Sequence, residues 1–237
     1  MLYAVSALLT AVVCTPLFGG YLLQRDMVST PTSPLTAAAF GIDGSAPRAV
    51  PQDAVVAAAS HLVDGGLLVA SIIAVSLFAA GIGYGRLAQR LVPRAGRAGA
   101  VAAAVVAIWN PFVAERLLQG HWSLLVGYAA LGWIVCAVMT VHDAPTWRSW
   151  AVLAGLFAVA GLTPTGSVLA LVVASTTWIG VARTSGTLTS GRSVAVVLLW
   201  VLTATPWLMA SFFAQGVRGV GGAEQFAARA EPGLGTL

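Results

Sequence analysis

The sequence predicts an all-α fold, a polytopic transmembrane helical bundle of about seven membrane helices, and three observations carry that prediction. Of 237 residues, 58% are hydrophobic and 8% charged, and so few charged side chains cannot cover a water-soluble globule. Apolar runs near twenty residues, the length that crosses roughly 30 Å of hydrocarbon, recur along the chain. The arginines gather in alternate connections, as they do in multi-pass membrane proteins.

Taken in order, the crossings fall near 1–23, 66–85, 98–118, 122–141, 149–163, 166–182 and 194–213. The first lacks the positive start and A-x-A-like cleavage site of a signal peptide, so it is retained as a helix. The third has only twelve residues between Arg97 and Asn110. It must continue through Asn110-Pro111 toward Leu118, with a kink at Pro111. The fifth and sixth are separated by Thr163-Pro164-Thr165-Gly166, so they form a tight hairpin or one broken helix. Pro206 implies a kink in the seventh.

The first outer loop, 24–65, is long for a connection. Pro31, Pro34, Gly41, Gly44 and Pro47 make its first half irregular. Its second half places Val55, Ala58, Ala59, Leu62 and Val63 at helical spacing behind Pro51, with Gln52, Asp53 and Ser60 off that stripe. Residues 51–64 therefore read as an amphipathic helix at the outer interface. The whole module spans 1–213, and 214–237 forms an outer carboxyl-terminal segment.

With the amino terminus cytoplasmic and the carboxyl terminus outside, the loops alternate consistently. Inner loops hold Arg86, Arg90, Arg94, Arg97, Arg148, Arg183 and Arg192 against Asp143, so seven positive charges less one negative leave +6. Outer segments hold Arg25, Arg48, Arg116, Arg218 and Arg229 against Asp26, Asp43, Asp53, Asp64, Glu115, Glu224 and Glu231, so five less seven leave −2. The two recover the formal net charge of +4, and the implied location is the cell inner (plasma) membrane.

Several functions are excluded or disfavoured. There is no lysine, which removes a P-loop, and dispersed arginines argue for no nucleic-acid partner. Cys14 and Cys136 lie inside apolar runs and offer neither a disulfide framework nor a metal site. The histidines lie at span edges or in loops, leaving a membrane-embedded serine without a base.

The candidate site comes from two outer segments. Asp26 follows the first helix by a few residues, at headgroup level. It is either a charge that ends the span and pairs with Arg25, or a catalytic base or metal ligand. The stretch Trp109-Asn110-Pro111-Phe112 through His121-Trp122 holds the only asparagine of the chain. On a helix Phe112, Arg116 and Gln119 share a face, whereas Glu115 and Arg116 point in different directions. Trp109 and Trp122 fit an aromatic belt. Arg116 suits a lipid phosphate, either as an anchor or as a substrate contact, and Glu115 is a second carboxylate able to support Asp26. His121 is a solvated loop histidine or a ligand.

A helix ending in an outer aspartate, a long first outer loop with an interfacial helix and a polar second outer loop together resemble the amino-terminal module of GT-C-type membrane glycosyltransferases. The segment from Asn110 to Trp122 looks like one that recurs in large actinobacterial cell-envelope membrane proteins, including arabinofuranosyltransferase-like ones. The resemblance covers roughly residues 1–213. It implies transfer of a sugar from a polyprenyl-phosphate donor to a glycan acceptor of the cell envelope on the outer face. It places Asp26 and Glu115 as catalytic carboxylates, with Asp26 a candidate ligand for a divalent cation, magnesium or manganese. Arg25, Arg116, Asn110 and His121 become substrate-binding residues. The chain departs from that family in having no Asp-x-Asp or Glu-x-Asp motif, no further carboxyl-terminal helices and no soluble carbohydrate-binding domain. Its ending at Gly233 to Leu237 reads as a truncated fragment.

Two other classes remain open in the sequence. A transporter would use the broken helices near Thr163 to Ser167, but no span carries a charged side chain at its middle. A noncatalytic scaffold or partner subunit would pack on other membrane helices, for which Gly81 and Gly85 form a small-xxx-small pair.

Overall fold

The computed structural model describes residues 1–20, 22–44, 49–186 and 190–214. Arg48, Arg218, Arg229, Glu224, Glu231 and nearly all of the carboxyl-terminal segment lie outside them. The fold is an all-α bundle with helices α1 Leu2–Cys14, α2 Gln52–Ser60, α3 Gly65–Leu91, α4 Gly96–Ile108, α5 Pro111–Gln119, α6 Trp122–Asp143, α7 Trp147–Ala160, α8 Pro164–Ser185 and α9 Ser190–Phe213. A two-residue ladder pairs β1, Leu23–Gln24, with β2, Met27–Val28.

Five segments are long and apolar enough to cross a membrane: α3, Pro93–Gln119 (α4 and α5 together), α6, α8 and α9. The other two expected crossings exist as shorter apolar helices. Pro16 ends α1 as an α-helix and starts a 3₁₀ turn, Thr15–Phe18. The combined length is about 28 Å. Beyond Phe18 the expected helix does not continue, and Leu23 enters the β-hairpin instead. With 14 residues, α7 reaches about 21 Å, short of a full hydrocarbon core.

The third crossing is broken, not kinked. Asn110 has an extended backbone, and its Oδ1 accepts from the Val113 amide at 3.0 Å. Pro111 sits at the first helical position, where a missing N–H costs nothing. The Asn110 Nδ2 meanwhile donates to the Val106 and Ala107 carbonyls at 2.9 and 3.1 Å. One amide thus closes the end of α4 and caps the start of α5. Thr163 does similar work before Pro164, accepting from the Gly166 amide at 3.1 Å, so α7 and α8 are two helices joined by a short turn. Pro206, in contrast, lies inside an uninterrupted α9.

The interfacial helix is shorter than the expected 51–64. It ends at Ser60, because Asp64 is needed as the cap of α3, where its Oδ1 accepts from the Gly66 and Leu67 amides at 2.9 and 3.1 Å. Val55, Leu62 and Val63 are exposed, and Ala57 and Ser60 turn inward.

At the core, α3 and α6 run side by side in the same direction: Trp133 Nε1 donates to the Ala79 carbonyl at 2.9 Å, and Arg90 meets Asp143 at 3.0 Å. Glycines permit this approach. A Cβ on Gly83 would come within 2.5 Å of the Trp133 ring, and one on Gly127 within 2.9 Å of Gly166 Cα on α8. Gly81 and Gly85 face Ser6, Ile108, Leu2 and Ala100, so this pair is used inside the chain, against α1 and α4. Two apolar cores result. One joins Cys14, Leu22, Met27, Ile73, Leu77, Val113 and Leu125. The other joins Ile134, Val138, Leu153, Phe157, Ala174 and Trp178. Helix α6 is the wall between them.

Gly166→Ala should lower stability by about 1–3 kcal/mol, because the new Cβ would meet the Ala160 carbonyl at 2.5 Å and Thr163 Oγ1 at 2.8 Å. Gly155→Ala, whose Cβ meets nothing within 4 Å, should be neutral or stabilising by up to about 1 kcal/mol. Thermal unfolding of both variants in detergent checks the contrast.

Candidate functional site

Folding brings the two outer segments into one hydrogen-bonded chain. The hairpin 23–28 turns through Arg25 and Asp26, with Gln24 paired to Met27. Arg25 takes a φ of +50°, the sign that two-residue hairpin turns demand and that a side chain tolerates poorly. Leu22 and Met27 anchor the hairpin in the core. The Asp26 amide donates to the Gln119 carbonyl at 3.4 Å, pinning the tip of the turn to the end of α5. There Gly120, at φ +79°, closes the helix and delivers His121.

From the tip the polar chain runs in to Arg116 and out again to Glu115. His121 Nε2 lies 2.8 Å from Asp26 Oδ2, and Arg116 Nη1 lies 2.9 Å from His121 Nδ1. A guanidinium only donates, so Nδ1 must accept, and Nε2 carries the hydrogen that is donated to Asp26. Arg116 Nη2 reaches Glu115 Oε1 at 2.7 Å, and Gln119 Nε2 donates to the same oxygen at 3.0 Å. Glu115 and Arg116 therefore do meet, contrary to the helical-wheel expectation: their side chains are long enough to bend around the angle between neighbouring positions. Arg116 also lies over the Phe112 ring at 5.6 Å, as their shared face implied. Arg116 is 19% exposed, against 72% for Asp26. Arg116, in the middle of the chain, is inside, and the carboxylates at its two ends face out. A pair this exposed adds about 0.2–1 kcal/mol to stability, so its main effect is on position.

Each expected residue now has a place. Asp26, Glu115, Arg116 and His121 come together. Asp26 pairs with His121, and Arg25 makes no ion pair among the described residues, standing exposed beside the carboxylate. Both terminal nitrogens of Arg116 are engaged by the protein. Asn110 is occupied with joining α4 to α5, and Tyr128 extends that junction by donating to the Ala107 carbonyl at 3.0 Å. Among the described residues, no group of three or more His, Cys, Asp and Glu is arranged to hold a metal ion.

Asp26 also lines a cavity of about 470 Å³ shared by the hairpin, α2 and the start of α3. Ser33, Thr36, Gln52 and Asp53 give it polar walls, and Val69 and Trp122 close its base. Burial raises the Asp53 carboxyl above its ordinary range. Asp53 was missed as a site residue. Its signal was present: an acid in the first turn of an interfacial helix, off the apolar stripe. The loop is stitched shut around the cavity. Ser60 Oγ accepts from the Ser33 amide at 2.9 Å, and the Gly65 amide donates to the Pro31 carbonyl at 2.8 Å. Gly65 is required there, since a Cβ would fall 2.1 Å from the Thr30 carbonyl.

A second hollow, about 430 Å³, opens between α3, α6 and α7. Leu68, Ile72, Val75, Val126, Trp133 and Leu156 make it almost wholly apolar. Leu68 faces this groove and its neighbour Val69 the polar cavity, so the first turn of α3 separates the two.

Nitrogen-15 NMR of His121 should report a protonated Nε2 and an unprotonated Nδ1. In Arg116→Gln the obligate donor to Nδ1 is gone, and a mixture of both tautomers should appear.

Comparison with protein-family models, with curated proteins and with solved structures gave no match to this chain.

Proposed function

We propose that the chain is a membrane-embedded glycosyl-transfer module that moves a sugar from a polyprenyl-phosphate donor to a glycan acceptor of the cell envelope. The observation that carries this reading is the Asp26–His121–Arg116–Glu115 chain, whose Asp26 end opens into a polar cavity at the rim of the bundle. A carboxylate steered by a histidine whose tautomer is held by an arginine is a positioned base. The lining of Ser33, Thr36, Gln52 and Asp53 suits the hydroxyl groups of a sugar. The adjoining apolar groove suits an isoprenoid tail.

In the proposed step the acceptor hydroxyl oxygen attacks the anomeric carbon and the bond from that carbon to the phosphate oxygen breaks. Polyprenyl phosphate leaves with the electron pair, and Asp26 takes the hydroxyl proton. His121 keeps Asp26 aimed, and Glu115 acts through Arg116 as a positioning residue. Arg25, exposed next to Asp26, is the guanidinium left to receive the departing phosphate. Asp26 is also where a divalent cation, magnesium or manganese, would act. The arginine-rich end of the bundle faces the cytoplasm, and the site faces outward from the inner membrane.

Asp26→Asn should reduce sugar transfer from a polyprenyl-phosphate donor about 10²–10⁴-fold with the thermal midpoint nearly unchanged. Wild-type turnover in that variant would remove the assignment. Loss of transfer on EDTA treatment, restored by manganese, would establish the cation. Orientation is checked separately: in intact cells an impermeant thiol reagent should label Ala37→Cys and spare Arg94→Cys.

A further inference from the structure

The opposite end of the bundle carries a separate basic pocket, of about 380 Å³, between α1, α3 and α4. Tyr3, Arg86, Gln89 and Arg97 supply its polar groups, with Leu2 and Ala100 as its apolar floor. No acid lines it. Arg86 is held in place from two sides: its guanidinium lies 4.9 Å from the Trp133 ring centre and 5.8 Å from that of Tyr3, and it donates to the Tyr3 hydroxyl. Neither Arg86 nor Arg97 pairs with a carboxylate among the described residues, whereas nearby Arg90 is neutralised by Asp143. Helix α4 begins here without a side-chain cap, so its first amides add positive potential at the same mouth.

We infer that this pocket binds the phosphate of an anionic phospholipid headgroup from the surrounding leaflet. Two guanidiniums, the NH2 of the Gln89 amide and a helix start offer donors in one place, which is the complement of a phosphodiester. The location favours a lipid over free phosphate. The pocket sits at the arginine-rich end of the bundle, where α1 and α4 begin and the last turns of α3 run out beside them, which is headgroup level for helices that cross a membrane. Basic pockets between membrane helices at an arginine-rich end select anionic lipids. Binding there would tie α1 to α3 and α4 at the end opposite the carboxylate site, and it stands independently of the proposed glycosyl transfer.

The test uses the purified chain in neutral detergent, titrated with phosphatidylglycerol, phosphatidylcholine or inorganic phosphate. Native mass spectrometry counts bound molecules, and the thermal midpoint is followed in parallel. Phosphatidylglycerol should bind and raise the midpoint; phosphatidylcholine and inorganic phosphate should not. Arg97→Gln, at an exposed position without a protein partner, should weaken phosphatidylglycerol about five-fold, and Arg86→Gln with Arg97→Gln about 25-fold. Arg94→Gln, outside the pocket, should leave the affinity unchanged. Equal binding of both lipids, full affinity in Arg97→Gln, or equal weakening by Arg94→Gln would overturn the proposal. An equal midpoint rise with inorganic phosphate would assign the pocket to a free anion and overturn the lipid source.

Discussion

Hydrocarbon supplies no hydrogen-bond partners, so every backbone amide and carbonyl within it must be satisfied by the chain itself. The rest of this structure follows from that demand. Four helix starts carry their own side-chain remedy: Asp64 before α3, Asn110 between α4 and α5, Thr146 before α7 and Thr163 before α8. Polar side chains are concentrated at these ends because that is where the backbone needs them. The same ends are where water and headgroups become reachable. A cluster able to do chemistry therefore arises beside the caps, and the middle of the bundle is left to glycine contacts and aliphatic packing.

The carboxylate cluster shows how a rim is made rigid without a deep core. Its hairpin is only six residues long, yet Leu22 and Met27 are buried, Ser29 is bonded across to Leu22, and the Asp26 amide is tied to Gln119. Arg116 is gripped by Glu115 on one side and His121 on the other. An exposed aspartate is thereby fixed by contacts that are themselves half-buried. The cavity beside it is formed by a loop that closes on α3 through Gly65, so its walls belong to segments far apart in the chain.

Much of the fold was legible in the sequence. Hydropathy alone locates α3, α6, α8 and α9, because a long apolar run has no other stable home. The length of α1 was not, since an apolar residue past Pro16 looks the same whether it continues a helix or anchors a hairpin. The Asn110-Pro111 break was taken for a kink because the pattern shows the proline but not which carbonyls the asparagine will reach. Asp26 and His121 were each singled out, but their pairing spans 95 residues and is a tertiary fact. Glu115 and Arg116 met because side-chain length overrode wheel geometry. Asp53 became a site residue only once the loop had folded beside α2 to form the cavity that it lines.

The same-direction arrangement of α3 and α6 has a bearing on biogenesis. Neighbouring hairpins can zip together as they leave the translocation machinery, but two helices pointing alike need a third to return the chain first. Until α4 and α5 have made that return, the glycine notch at Gly83 has no ring to receive, and the Trp133 indole has no carbonyl to cap. Assembly of the central wall is thus postponed by connectivity, and the carboxylate cluster, whose histidine immediately precedes α6, cannot be completed sooner.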